Sequence, residues 1–159
     1  MSLASLPALT SRFAPRPRLY LQRAGEVEEP LVRRGRRHWA VSRRLCRFFK
    51  IPLLADASTA RQLEALNLQI ERLSPFAETG SHFHFGANSI NLWLWDAQTV
   101  SDAANAIGVD LRRVSVLPES ALQPIGDGVR VIECLDGVEG QCWEQGRSEE
   151  RRVGKECRL

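Results

Sequence analysis

The chain has 159 residues, 43% of them hydrophobic and 26% charged, with a formal net charge of +3. That balance is ordinary for a folded chain with its own core and excludes wholesale disorder. The apolar runs, such as Ile51 to Ala55 and Leu92 to Trp95, fall far short of the ~20 residues a membrane-crossing helix needs, and Met1 to Thr10 lacks the basic stretch that opens an export signal.

Residues 1–17 contain Pro15 and Pro17 and are expected to form a loose N-terminal arm. Arg18 to Arg23 alternates as a strand does, with Leu19 and Leu21 on one side and Tyr20 on the other, and Ala24-Gly25 ends it. A basic stretch follows, with Arg34-Gly35-Arg36 as a turn and His38 to Val41 as a second strand. Phe48 to Leu53 is apolar but carries Lys50 and Pro52, which suits an edge strand or an extended approach to the next helix.

The clearest element is a helix from about Ser58 to Leu73. Asp56 and Ser58 are N-cap candidates, and Leu63, Leu66, Ile70 and Leu73 recur at steps of three and four as one apolar stripe. Ser74-Pro75 stops it, because a residue before proline disfavours the helical region. Ser81 to Phe85 and Ile90 to Trp95 both alternate and are joined by a short polar turn, so a hairpin is expected. Asp96 caps a short helix through Ile107, and Gly108 follows as its terminator. Val114 to Leu117 is a short strand, Pro118 to Leu122 a helical turn, and Val129 to Leu135 with Gln141 to Glu144 a second hairpin turning at Asp136-Gly137. The pattern predicts an α/β fold with a mixed sheet.

The last thirteen residues, Arg147 to Leu159, follow no periodicity well. Their run Arg-Ser-Glu-Glu-Arg-Arg-Val-Gly-Lys-Glu-Cys-Arg reads like the translation of a sequencing adapter. A foreign, disordered tail over 147–159 is therefore expected, with the native sequence continuing past Gly146. The tail holds five basic and three acidic residues, so it accounts for +2 of the +3, and bulk basicity gives no case for nucleic-acid binding.

Several groupings of side chains invite a chemical reading. Arg33, Arg34, Arg36, Arg37, Arg43, Arg44, Arg47 and Lys50 form a run without an acid between positions 33 and 50, with Trp39 and Phe48 interleaved. Such a run serves an acidic partner protein, an anionic membrane surface or, with a ring stacking on a base, a nucleic acid; it also serves as a plain solvated face. His82 and His84 share a strand face and would need further ligands to hold a metal, so solvated polar positions opposite a buried Phe83 and Phe85 are expected instead. Glu133, Asp136 and Glu139 cluster at the second hairpin, where the turn explains Asp136 better than acid–base work does. Among four cysteines, Cys46, Cys134, Cys142 and Cys157, no CxxC pair occurs. Thiols are expected, Cys134 and Cys142 being the pair that could meet across the hairpin. No phosphate loop, nucleophile elbow, zinc-protease or dinucleotide motif occurs, so no catalytic, cofactor-binding or metal-binding residue is assigned.

One resemblance adds to this. Ile51-Pro52, the helix through Leu73, Pro75-Phe76 and the hairpin to Trp95 stand in an order similar to that of the cytoplasmic actin-like proteins of bacterial type II secretion and type IV pilus assembly platforms. Val116-Leu117-Pro118-Glu119 followed by Val129 to Trp143 looks like the passage into the second actin-like half, with Asp136-Gly137 about where a first phosphate loop falls. The likeness spans roughly residues 45 to 146. It implies that 18–146 is a truncated actin-like (ribonuclease H-like) domain. The implied function is a non-catalytic cytoplasmic scaffold at the inner membrane, without a cofactor, whose partners are the other platform proteins and possible contacts include the anionic membrane surface. The alternative is a nucleic-acid-binding module using the basic 33–50 segment.

Overall fold

The computed structural model describes residues 18–30, 35–86, 88–122, 128–144 and 147–151. In chain order the strands are β1 (Arg18–Arg23), β2 (Glu26–Glu28), β3 (Arg37–Val41), β4 (Cys46–Pro52), β5 (Thr79–Phe85), β6 (Ser89–Asp96), β7 (Ser115–Pro118), β8 (Gly128–Cys134), β9 (Gly137–Glu144) and β10 (Arg147–Arg151). Helix α1 (Thr59–Leu73) lies between β4 and β5, and α2 (Ala97–Ala106) between β6 and β7. Three sheets result: a mixed one in the order β2-β1-β3-β7, and two antiparallel ones in the orders β4-β6-β5 and β10-β9-β8. The fold is thus mixed α/β.

The mixed sheet is built from distant pieces. β1 folds back on β2, then runs parallel to β3, so that Tyr20 stands beside Trp39. β7 adds in parallel on the far side, with Trp39 beside Val116. One face of this sheet carries Tyr20, Gln22, Trp39 and Val41, all buried.

Strand β6 organises the second sheet. Its residues from Ile90 to Trp95 are all buried, although odd and even positions point to opposite faces. Both faces are therefore covered. On one, Trp93 and Trp95 pack with Cys46, Tyr20, Trp39 and Val41 and with Val100 and Ala104 of α2. On the other, Ile90, Leu92 and Leu94 pack under Leu66 of α1, with Phe49, Ile51, Ile70, Leu73 and Phe76 around them. The double-sided burial explains why β6 reads as an almost continuous apolar run. It also explains Gly80, which stands opposite Trp95: a Cβ there would lie 2.0 Å from the indole Nε1.

The expected helix α1 is present, capped by Ser58, whose Oγ accepts from the Arg61 N–H at 3.4 Å. Asp56 is not the cap; it sits in the loop before it, at φ 53°. The buried stripe also differs from the expected one. Leu63 is 36% exposed, while Gln62 is buried. The Gln62 carboxamide explains this exchange: its Oε1 accepts from Leu54 N–H at 3.1 Å and its Nε2 donates to Leu54 O at 2.7 Å, so it turns inward to hold both polar groups of a loop residue. Leu66, 1% exposed, is the centre of the stripe. Leu66→Ala is expected to lower stability by about 2–5 kcal/mol, against less than about 1 kcal/mol for Leu63→Ala. Urea denaturation of both variants checks the assignment, and equal effects would refute it.

Helix α2 starts as expected at Asp96, whose carboxylate accepts from Gln98 N–H at 3.0 Å and from the Thr99 hydroxyl at 2.8 Å. It ends at Gly108, which adopts φ +68°. The turn between β8 and β9 falls on Leu135 and Asp136, one residue earlier than expected, with Cys134 aligned on Gly137. That register places Cys142 beside Val129, so Cys134 and Cys142 are not cross-strand neighbours. Cys46 and Cys134 are thiols. Arg147–Arg151, the head of the segment expected to be a disordered tail, runs antiparallel to β9 from Glu144 to Gly140. Backbone pairing with an open strand edge makes few demands on side chains, so it gives no information on the origin of the segment. Residues 1–17 and 152–159 lie outside the described residues.

Candidate functional site

Folding divides the basic run. Arg36 and Arg37 stand exposed at the head of β3, while Arg43, Arg44 and Arg47 lie past its other end, roughly 20 Å away at about 3.3 Å per residue. Arg33 and Arg34 lie outside the described residues. Among the described residues, Arg36 and Arg37 therefore do not share one surface with Arg43, Arg44 and Arg47.

Nor are those at the second end equivalent. The Arg43 guanidinium lies 5.5 Å from the Phe48 ring centroid and donates to Cys46 O at 3.4 Å, which holds it against the fold. Arg44 and Arg47 are exposed, and among the described residues neither guanidinium is in an ion pair. Both line a surface pocket of about 420 Å³. Its floor is apolar, made by the buried Cys46, Trp95 and Val100, with Phe76 beside them. Asp96 and Thr99 complete its rim, but the Asp96 oxygens are committed to capping α2. A shallower hollow of about 290 Å³ shares Leu45 and Thr99 with it. There Arg23 is already matched by Glu26 and Glu28 at 3.6 and 3.8 Å.

The two aromatic residues of the run are internal. Trp39 has no exposed surface; its ring stacks on Tyr20 at 5.5 Å and its Nε1 donates to Gln22 Oε1 at 2.7 Å. Phe48 is half-buried beneath Arg43 and against Trp93. Trp39 thus offers no face on which a base could stack.

The histidine pair sits on the β5 face that carries the tryptophans. His82 is half-buried, 5.8 Å from the Trp93 ring, and His84 is exposed. Burial, and secondarily the neighbouring His84, pushes the His82 imidazole below its usual pKa, which favours its neutral form. Among the described residues no group of three His, Cys, Asp or Glu side chains is placed to hold a metal. The expected burial is partly reversed here: Phe83 and Phe85 are 38% and 37% exposed, because β5 lies at the sheet's edge, beyond the cover of α1.

Glu119 is the polar residue that pattern reading passed over. It is 6% exposed, and its two carboxylate oxygens accept from Arg43 N–H at 2.5 Å and Leu135 N–H at 2.7 Å. It ties the end of β3 to the turn of the β8–β9 hairpin. Of the three carboxylates expected near that hairpin, Glu133 is exposed, Asp136 is half-buried in the turn, and the Glu139 side chain lies outside the described residues.

No protein-family model matches the chain, and no curated protein matches it. Among the described residues no helix is long and apolar enough to cross a membrane.

Proposed function

We propose that this chain is a non-catalytic scaffold unit, part of an actin-like (ribonuclease H-like) domain of a type II secretion or type IV pilus platform. Its partners are other proteins of that platform, which it meets at the inner membrane through an acidic segment. Arg44 and Arg47 receive that segment, over the apolar floor formed by Cys46, Trp95 and Phe76. The observation that carries the reading is the make-up of this pocket, with two exposed arginines above buried hydrophobic side chains. An interface needs both: charge for steering, and a desolvated apolar centre for affinity. The order from Ile51-Pro52 through α1 to Pro75-Phe76 and the β5–β6 hairpin supports the family resemblance. It folds as one packed unit, and Phe76, at its turn, lines the pocket.

Binding is to be measured at physiological salt against the cytoplasmic domains of candidate platform proteins, phosphatidylglycerol vesicles and single-stranded RNA. The expected result is binding to a platform protein that weakens roughly tenfold in Arg44→Glu/Arg47→Glu and is unmoved by Arg36→Glu/Arg37→Glu. Tighter binding to RNA or vesicles, or dependence on Arg36 and Arg37 alone, overturns the reading.

A further inference from the structure

The open edge of the second sheet points to a use for β5 that is separate from the arginine pocket. β5 is terminal in the order β4-β6-β5. Which of its peptide groups face outward follows from the register. Gly86 N–H donates to Ser89 O, and the pairing of β5 with β6 continues in step from there, His84 with Asn91 and His82 with Trp93. In an antiparallel ladder hydrogen-bonded and non-hydrogen-bonded pairs alternate, so the even-numbered residues bond to β6. The N–H and C=O groups of Ser81, Phe83 and Phe85 therefore point away from the sheet.

Nothing in the strand's composition protects this edge. Natural edges are blunted by charged side chains, prolines, bulges or very short strands. Thr79–Phe85 is seven residues long, without a Lys, Arg, Asp or Glu and without proline. It also presents apolar surface: Phe83 and Phe85 are more than a third exposed, with ring centroids 5.7 Å apart in an edge-to-face contact.

We propose that β5 is a self-association edge, to which the β5 strand of a second copy of this chain adds in antiparallel fashion. Ser81 and Phe85 are evenly spaced about Phe83, so a twofold axis there aligns Phe83 with its counterpart and Ser81 with Phe85 of the copy, leaving outward-facing Thr79 beyond the paired stretch. The outward N–H groups of Ser81, Phe83 and Phe85 then meet the outward C=O groups of the same three residues in the copy, as an isologous interface requires. The four phenylalanine rings come together on the α1 side and extend the apolar layer of Ile90 and Leu92 from one copy into the other. The absence of Lys, Arg, Asp and Glu from the strand matters here, since a charged edge paired with itself would set like charges opposite one another.

Sedimentation equilibrium of the full chain over roughly a hundredfold concentration range tests this, because a dimer's population follows mass action. A monomer–dimer equilibrium is expected, weakened at least roughly tenfold by Phe83→Lys and likewise by Ser81→Pro, which removes an N–H that β6 does not use. Circular dichroism melts establish that each variant is folded; if Ser81→Pro is not, Phe83→Lys decides. Hydrogen exchange gives an independent readout: the Ser81, Phe83 and Phe85 amides gain protection as concentration rises, while those of His82 and His84 are protected throughout. A chain that stays monomeric over the whole range, a dimer that survives both substitutions, or outward amides whose exchange ignores concentration overturns the proposal.

Discussion

Trp39→Ala is expected to remove about 3–5 kcal/mol of stability, a large share of the ~5–15 kcal/mol that holds a domain of this kind together. Trp39 is the largest side chain with no exposed surface, and it sits where β1, β3, α2 and β6 meet. Its loss opens a cavity against Tyr20, Val41 and Trp93. It also strips Gln22 Oε1 of its donor in a place water does not reach. Trp39→Phe separates the two effects, keeping most of the volume and giving up the hydrogen bond, for an expected cost of about 1–3 kcal/mol. Chemical denaturation with unchanged m-values checks both, and a Trp39→Ala variant as stable as the parent would show that the core is misplaced. The same substitution is unsuitable as a probe of nucleic-acid binding, since a loss of binding would report the damaged core rather than a lost stacking face.

Glu119→Ala should cost about 2–5 kcal/mol, concentrated on one part of the molecule. Both of its oxygens accept from backbone N–H groups of residues that lie outside the strand ladders, Arg43 just past β3 and Leu135 in the β8–β9 turn. Removing the carboxylate takes a charged acceptor from two partly buried N–H groups, at about 1–3 kcal/mol each. Glu119→Gln should not rescue fully, because the amide keeps one acceptor and turns an NH₂ group toward the other donor. The amide of Leu135 should then exchange much faster than those of β6, which Glu119 does not touch. Exchange and stability both at the parent's values would exclude this carboxylate as a structural tie.

Those two residues also mark where local pattern stops being informative. Both helices, the β5–β6 hairpin and the α/β class are legible in the sequence, since caps at Ser58 and Asp96, the step of three and four from Leu66 to Leu73, and the alternation around Trp93 are all short-range signals. What the pattern could not convey depends on distant partners. Gln62 looks like a surface residue until Leu54 needs its amide, and Leu63 looks like core until the helix's rotation is fixed by Leu66. Trp39 looks available among arginines because what encloses it, the parallel neighbours β1 and β7 and the facing β6 and α2, comes from elsewhere in the chain. A charge run looks like one surface because sequence does not record that a strand carries its two halves apart. For Glu119, a signal was present: an acid directly after Pro118 at the end of a short apolar strand, in a position where an exposed carboxylate has no evident task.

The parallel pairing of β3 has a consequence for how the chain assembles. The sheet of β4, β5 and β6 draws on one continuous stretch, Cys46–Asp96, with α1 inside it, and is complete once that stretch exists. The mixed sheet is not. β3 waits for β7, which is the last strand before the second hairpin, and loop closure over such a span is entropically costly. During synthesis one edge of β3 stays unpaired while the antiparallel sheet is already in place. The late arrival of Ser115–Pro118 then closes the structure, and Glu119, the next residue, seals it.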